Sequence, residues 1–205
     1  MNGFPTTMTN PLSPFGSAMV ERWNAAEAQP EVEVPQWTIT PREEWESVDF
    51  LRDPHTNPTT RIIFHHTFPI PSTASARDVE ISQMNSSFSG IAYHYLIGPE
   101  GQIYQGSRLD RIGAHTAREG FPQYNHNDGS IGIAFIGTYT HENPTPEALA
   151  AATWLVENLQ YRIPTITEFF AHSDMDGHRG NGDFAENQEM LDWIKKFNKI
   201  RRPKH

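Results

Sequence analysis

Residues 61–67 read RIIFHHT, a short run of β-forming apolar side chains that closes on His65 and His66. Pro58 and Pro69 bound this run, so the pattern predicts a buried strand. Much later in the chain, residues 165–172 read TITEFFAH, a second strand pattern that also ends in a histidine, His172. Two imidazoles carried to strand ends in this way can meet in space and hold a metal ion.

The loop after His172 is rich in glycine and carboxylates, since residues 173–183 read SDMDGHRGNGD. Two histidines and one carboxylate with an open fourth position are the ligand set of a catalytic zinc. The chain contains no cysteine, so a metal must be bound through nitrogen and oxygen. The third ligand stays open at this stage, among Asp174, Asp176, His178 and Asp183.

His65 and His66 cannot both face such a site, because successive side chains of a strand point to opposite faces. The residue pattern alone does not choose between them.

The composition is that of an ordinary globular protein, with 37% apolar and 20% charged residues, and predicts one domain with a tail. A net charge of -9 argues against sequence-independent nucleic-acid binding, which needs clustered cations. The last residues are nevertheless basic. The basic residues are Lys195, Lys196, Lys199, Arg201, Arg202 and Lys204. They are expected either to form a solvated helix end or to contact an anionic envelope surface.

No apolar run approaches the ~20 residues of a membrane helix. The first residues, MNGFPTTM, lack the features of a signal peptide, which predicts a protein made in the cytoplasm.

Residues 1–36 lack sustained periodicity and predict a poorly structured arm or linker, whereas 37–205 predict one domain of alternating strands and helices. Predicted strands cover 61–66, 91–97, 102–105, 130–136 and 165–171. Predicted helices cover 75–88, a segment opened by Pro144 and Pro146, and 188–200. The order predicts an α/β fold, a central mixed β-sheet flanked by helices on both faces.

Eight short segments then match a known pattern in order: 39–45 (ITPREEW), 62–67 (IIFHHT), 91–98 (IAYHYLIG), 101–106 (GQIYQG), 113–116 (GAHT), 124–127 (YNHN), 130–137 (SIGIAFIG) and 171–174 (AHSD). Together they resemble the zinc-dependent N-acetylmuramoyl-L-alanine amidases of type 2. That family shares its fold with the peptidoglycan recognition proteins and the amidase-type phage lysozymes.

The resemblance implies a Zn²⁺ ion held by His65, His172 and Asp183. The loop departs from the family pattern, because Asp183 is followed by Phe184 and Ala185 where relatives have Pro-Gly. Asp174, Asp176 and His178 therefore remain rival ligands.

The resemblance also implies metal-assisted hydrolysis of the bond between N-acetylmuramic acid and L-alanine in peptidoglycan. Tyr93 would donate a hydrogen bond to the developing oxyanion. Asn181 stands where relatives carry Lys or Thr, and His178 is the guess for the general acid. His115 and Asn127 are expected to bind substrate.

Two other functions stay open. A noncatalytic recognition module would bind muropeptides without cutting them, and a glycosidase would use a carboxylate pair such as Asp174 and Asp183. A calcium loop starting at Asp174 is disfavoured, because its twelfth position is Ala185. The expected setting is a monomeric phage endolysin or bacterial wall lysin, with a cytoplasmic recycling enzyme as the competitor.

Overall fold

The fold is seen in a computed structural model that describes residues 37–48, 50–116, 125–175 and 183–199. Its centre is a six-stranded mixed sheet with the strand order β1-β4-β3-β5-β2-β6. The strands are β1 (Ile39–Thr40), β2 (Arg61–His66), β3 (Tyr95–Ile97), β4 (Ile103–Gln105), β5 (Ser130–Phe135) and β6 (Glu168–Ala171). The helices are α1 (Ala76–Asn85), α2 (Pro146–Arg162) and α3 (Gln188–Lys199).

The central strands β5, β2 and β6 run parallel, with β2 between the other two. Every residue of β5 is buried, and so is every residue of β2 after Arg61. Strands that are covered on both faces need such continuous apolar runs. Because β2 and β6 are parallel neighbours, their carboxyl ends lie at the same edge of the sheet.

Helices cover both faces, which confirms the predicted architecture. On one face, Ile62 and Phe64 of β2 pack with apolar side chains of α2 and α3. On the other face, Leu96 of β3 and Ala134 of β5 pack with Val79 of α1. Alternate residues of each strand thus serve opposite cores, as the pleat of a strand requires.

Local sequence fixes where two of the helices begin. The Ser75 hydroxyl accepts a hydrogen bond from the Asp78 amide at 3.1 Å, and the Asp78 carboxylate accepts one from the Ser75 amide at 2.9 Å. This reciprocal pair caps α1. The Thr145 hydroxyl likewise accepts from the Ala148 amide at 3.1 Å, and Pro146 occupies the first turn of α2.

The larger core contains a cluster of aromatic rings beneath α3. The ring centroid of Phe64 lies 5.3 Å from that of Trp193 and 6.0 Å from that of Phe197. Phe64 is fully buried, so its truncation to alanine should cost about 3–5 kcal/mol of folding free energy. This core sits directly behind the strand end that carries the two histidines.

Several predicted boundaries were wrong. Strand β3 begins at Tyr95 rather than at residue 91, because the preceding residues bond to other loops: the Ala92 carbonyl accepts from the Ala114 amide, and the Tyr93 carbonyl accepts from the Ser107 amide. Strand β1 was not predicted. The turn between β3 and β4 places Gly101 at a φ of 83°, a conformation that glycine adopts readily.

The predicted arm at 1–36 and the basic residues from 200 onward lie outside the described residues. Among the helices that are described, none has the length and apolar content needed to span a bilayer.

Candidate metal centre

The two histidines at the strand ends meet. His65 is the fifth residue of β2, and His172 follows β6 directly, in a short 3₁₀ turn over His172–Asp174. Their ring centroids are 4.7 Å apart. The parallel pairing of β2 and β6 is therefore what brings the two imidazoles together.

Asp183 completes this cluster. The Ser173 amide bonds to the Asp183 carbonyl at 3.4 Å, so the two ends of the intervening loop lie side by side. Asp183 Oδ2 lies 3.0 Å from His65 Nδ1 and 3.5 Å from His172 Nδ1. One ligand atom from each of the three residues lies within 4.8 Å of the others.

This geometry fits a tetrahedral metal site. Bonds of ~2.0–2.2 Å from zinc to nitrogen or oxygen put two ligands of a tetrahedron about 3.4 Å apart. The separations of 3.0 and 3.5 Å bracket that value. The structure thus brings together His65, His172 and Asp183, the ligands that the resemblance implies, and their binding of zinc stays a prediction.

The protonation states also suit a metal. Burial lowers the pKa of His65 to about 4, although the neighbouring Asp183 carboxylate opposes this shift. Burial by itself would raise the pKa of Asp183, but its close contacts with His172 and His65 outweigh burial and hold that pKa well below its ordinary value. At neutral pH the site thus offers a neutral imidazole and an ionised carboxylate, the forms that bind metal.

His66 supports the site from the other side of the strand end. Its Nδ1 accepts a hydrogen bond from the Tyr139 amide at 2.9 Å, so the ring hydrogen is on Nε2, which lies 3.4 Å from Asp183 Oδ1. The His66 amide also lies 3.3 Å from Asp183 Oδ2. The alternation of side chains along a strand predicts that His66 faces away from His65, and it did not foresee that the Asp183 carboxylate reaches both residues.

Tyr93 lies over the cluster, with its ring centroid 5.2 Å from that of His65. Burial, reinforced by the negative charge of Asp183, raises the pKa of Tyr93 above its ordinary value. The phenol therefore stays neutral and keeps its hydrogen for donation to an oxyanion. Its role in the reaction stays a prediction.

His115 and Asn127, the predicted substrate residues, are both buried. His115 Nδ1 lies 3.0 Å from His65 Nε2. The Asn127 side-chain oxygen accepts from the amides of His115 and Thr116 at 2.8 and 2.9 Å, and its amide donates to Asn125 at 2.8 Å. These bonds shape the loop around His115, and a direct contact of either side chain with substrate stays a prediction.

The remaining predicted site residues are either outside the described residues or placed away from the cluster. Asn181, His178 and Asp176 lie outside the described residues. Asp174 is described and points elsewhere: its carboxylate accepts a hydrogen bond from the Ala171 amide at 2.9 Å and so caps the turn that carries His172. Among the described rivals, only Asp183 therefore has an oxygen in the histidine cluster.

Three comparisons bear on this site. Residues 55–183 match the family Amidase_2, described as N-acetylmuramoyl-L-alanine amidase. The chain is 32% identical over 177 residues to peptidoglycan-recognition protein SD of Drosophila melanogaster, a match that covers 78% of this chain and 88% of that protein. It is also 32% identical over 126 residues to mouse peptidoglycan recognition protein 3, over 58% of this chain but only 34% of that longer relative.

Among solved structures, the N-acetylmuramoyl-L-alanine amidase LysC from Clostridium intestinale superposes with a TM-score of 0.57. The superposition covers 80% of this chain and 99% of that one, at 23% sequence identity. At this level of identity the likeness establishes the fold.

Proposed function

The chain belongs to the N-acetylmuramoyl-L-alanine amidase family Amidase_2, and on this basis we propose that it is a zinc-dependent hydrolase of the amide bond between N-acetylmuramic acid and L-alanine in peptidoglycan. One observation carries the proposal: the donor atoms of His65, His172 and Asp183 converge within 4.8 Å of one another, beside Tyr93.

Each residue of the site has a definite task in such a reaction. His65, His172 and Asp183 would hold the metal, which when bound supplies Lewis-acid polarisation of the carbonyl and an activated water. Tyr93 donates its phenolic hydrogen to the carbonyl oxygen as negative charge develops there. His66 holds the Asp183 carboxylate in place through its amide and its ring Nε2.

The proposal is tested with purified peptidoglycan carrying a covalent dye. Cleavage of this amide leaves the glycan intact and gives each stem peptide a new amino-terminal alanine. We expect soluble dye and amino-terminal alanine with zinc-loaded protein, neither product after chelation, and both again after zinc is restored. The absence of new amino termini with zinc-loaded protein would contradict the proposal.

A second candidate function is noncatalytic recognition of muropeptides, because two of the relatives above are named as peptidoglycan recognition proteins. The retained set of three metal donors favours the enzyme over this alternative. Sedimentation of zinc-loaded protein with intact peptidoglycan, without release of any fragment, would favour recognition. The glycosidase alternative predicts new reducing ends without new amino termini, and the Asp174 bond to the Ala171 amide gives that residue a structural task instead.

The biological setting follows from the proposed reaction and stays a prediction. A wall lysin, encoded by a phage or by a bacterium, requires access to peptidoglycan, and the basic residues near the end of the chain suit an anionic envelope surface.

A further inference from the structure

A buried serine hydroxyl stands at the start of a hydrogen-bond chain that ends at the metal site. Ser130 is fully buried at the first position of β5, and its Oγ lies 2.8 Å from the His126 carbonyl and 2.9 Å from the Asn127 carbonyl. Carbonyls only accept hydrogen bonds, so the single hydroxyl hydrogen of Ser130 points towards them. Toward its third neighbour, Nε2 of His115 at 3.4 Å, Ser130 therefore acts as an acceptor.

This constraint fixes the hydrogen on His115. A neutral imidazole carries its hydrogen on one nitrogen and accepts at the other. Because Ser130 accepts, His115 carries its hydrogen on Nε2 and its Nδ1 is a bare acceptor. That Nδ1 lies 3.0 Å from Nε2 of His65, so Nε2 of His65 carries the hydrogen between them.

The remaining nitrogen of His65 is then a bare lone pair. It is Nδ1, the atom that lies 3.0 Å from Asp183 Oδ2. Two acceptors at that separation are compatible when a cation lies between them. The chain from Ser130 thus selects the tautomer of His65 in which Nδ1 can bind a metal.

The His115 ring is closely packed, which keeps its Nδ1 directed at His65. A Cβ atom at Gly132 would lie 2.5 Å from Cγ of His115, and one at Gly113 would lie 2.6 Å from its Cδ2. The backbone of His115 is fixed by its bond to the Asn127 side chain at 2.8 Å. The ring is therefore packed closely against the backbone at both glycines.

We infer that Ser130 acts through His115 to hold the hydrogen of His65 on Nε2, so that Nδ1 is prepared for the metal before the metal arrives. His115 is accordingly a positioning residue for the proposed amidase site, and this inference rests on the metal-dependent function proposed above. Partners that orient a metal-binding histidine through its second nitrogen typically change metal affinity about 10–100-fold when they are removed.

The first test is the tautomer itself. Nitrogen-15 NMR of the histidine rings distinguishes hydrogen on Nδ1 from hydrogen on Nε2. In the metal-free protein we expect both His65 and His115 to carry hydrogen on Nε2, and zinc to leave the His115 pattern unchanged. Hydrogen on Nδ1 of either ring in the metal-free protein would overturn the inference. This measurement uses the unaltered chain, so it does not depend on any variant folding.

The second test uses a matched pair of serine variants. Ser130→Ala removes the acceptor for His115, whereas Ser107→Ala removes a hydroxyl that is equally buried and bonds to the Ile91 carbonyl at 3.1 Å, with no histidine contact. In a chelator competition we expect Ser130→Ala to bind zinc about tenfold more weakly and to show mixed tautomers at His115. Ser107→Ala should match the unaltered protein in both readouts. Equal zinc affinity and an unmixed His115 tautomer in Ser130→Ala would contradict the inference.

Replacements at His115 add a rescue. Asn keeps an acceptor near the position of Nδ1, whereas Leu offers none, so we expect His115→Asn to retain more zinc affinity than His115→Leu. Equal losses would count against the acceptor role.

Peptidoglycan hydrolysis is measured separately, so that this inference and the proposed reaction can fail independently. A protein that shows the expected tautomers and binds zinc but releases no stem peptide contradicts the proposed reaction. An active protein with the opposite tautomer contradicts this inference alone.

Discussion

Nδ1 of His65 lies 3.0 Å from Oδ2 of Asp183, although 118 positions separate the two residues in the chain. The contact joins the end of a central strand to the far end of the loop that follows His172. It depends on the parallel pairing of β2 with β6 and on the bond that closes the loop between Ser173 and Asp183. Among the carboxylates of the described residues, Asp183 is thereby the one placed to complete the metal site.

Replacement of Asp183 by alanine should abolish both zinc binding and peptidoglycan hydrolysis. The variant loses one of the three donors and leaves only the two imidazoles, which bind zinc far less tightly than the full set. Zinc content of the purified protein, measured after dialysis, and release of amino-terminal alanine check this expectation.

Asp174→Asn is the control for that variant. An asparagine oxygen can still accept from the Ala171 amide, so the turn that carries His172 should persist. We expect near-normal zinc content and hydrolysis. If Asp174→Asn lost the metal while Asp183→Ala kept it, the assignment of the third ligand would be reversed.

Tyr93→Phe should slow hydrolysis without weakening zinc binding. The change removes the phenolic hydrogen that we assign to the oxyanion and keeps the ring that packs 5.2 Å from the His65 ring. Loss of one oxyanion donor lowers kcat by about a hundredfold or more. Steady-state kinetics on a soluble muropeptide, together with zinc titration, separate the two effects, and an unchanged kcat would make Tyr93 a packing residue.

Much of this arrangement could be predicted from the sequence, for a physical reason. Apolar runs at 61–66 and 130–136 follow from burial on both sides of a sheet, and a histidine at the end of each of two parallel strands necessarily reaches one edge. The resemblance to the amidase family then favoured His65 over His66, and it implied Asp183 as the third ligand while leaving Asp174, Asp176 and His178 as rivals.

The contacts that support the metal-binding residues could not be predicted from the sequence pattern. That Ser130 faces two carbonyls, and that His66 bonds to the Tyr139 amide, depends on how loops far apart in sequence pack together. The one available signal was Gly132, a glycine inside a strand, which often marks a close approach of another group. Here that group is the His115 ring.

The metal-free protein should lose stability as the pH falls from about 6.5 to about 4. Burial lowers the pKa of His94 to about 4, and its ring bonds to the Arg111 carbonyl and the Gly132 amide at 3.0 Å each. Folded His94 therefore stays neutral while the unfolded chain takes up a proton below its ordinary pKa near 6.5. The contribution of His94 to stability, about 3 kcal/mol, is fully present above pH 6.5, declines as the pH falls toward 4 and is lost below that.

Urea unfolding at a series of pH values measures this slope, with a chelator present throughout. His94→Gln supplies the comparison, because glutamine offers a donor and an acceptor but does not titrate in this range. The variant should be less stable at pH 7 and should show a shallower decline. An identical slope would mean that the acid sensitivity arises from the other buried histidines.

Gly132→Ala should damage the metal site while leaving the strand in place. The new Cβ would lie 2.5 Å from Cγ of the His115 ring, closer than real side chains approach, and the ring is also tightly packed at Gly113. Overpacking of this kind costs about 1–3 kcal/mol. The ring must therefore shift, which disturbs its 3.0 Å contact with His65, and zinc affinity should fall together with stability. Gly98→Ala is the matched control, since there the new Cβ meets only the end of the Gln102 side chain, which can rotate aside. Thermal unfolding and zinc titration of both variants test this expectation. If Gly132→Ala binds zinc as tightly as Gly98→Ala does, the close packing of His115 against β5 does not contribute to zinc binding.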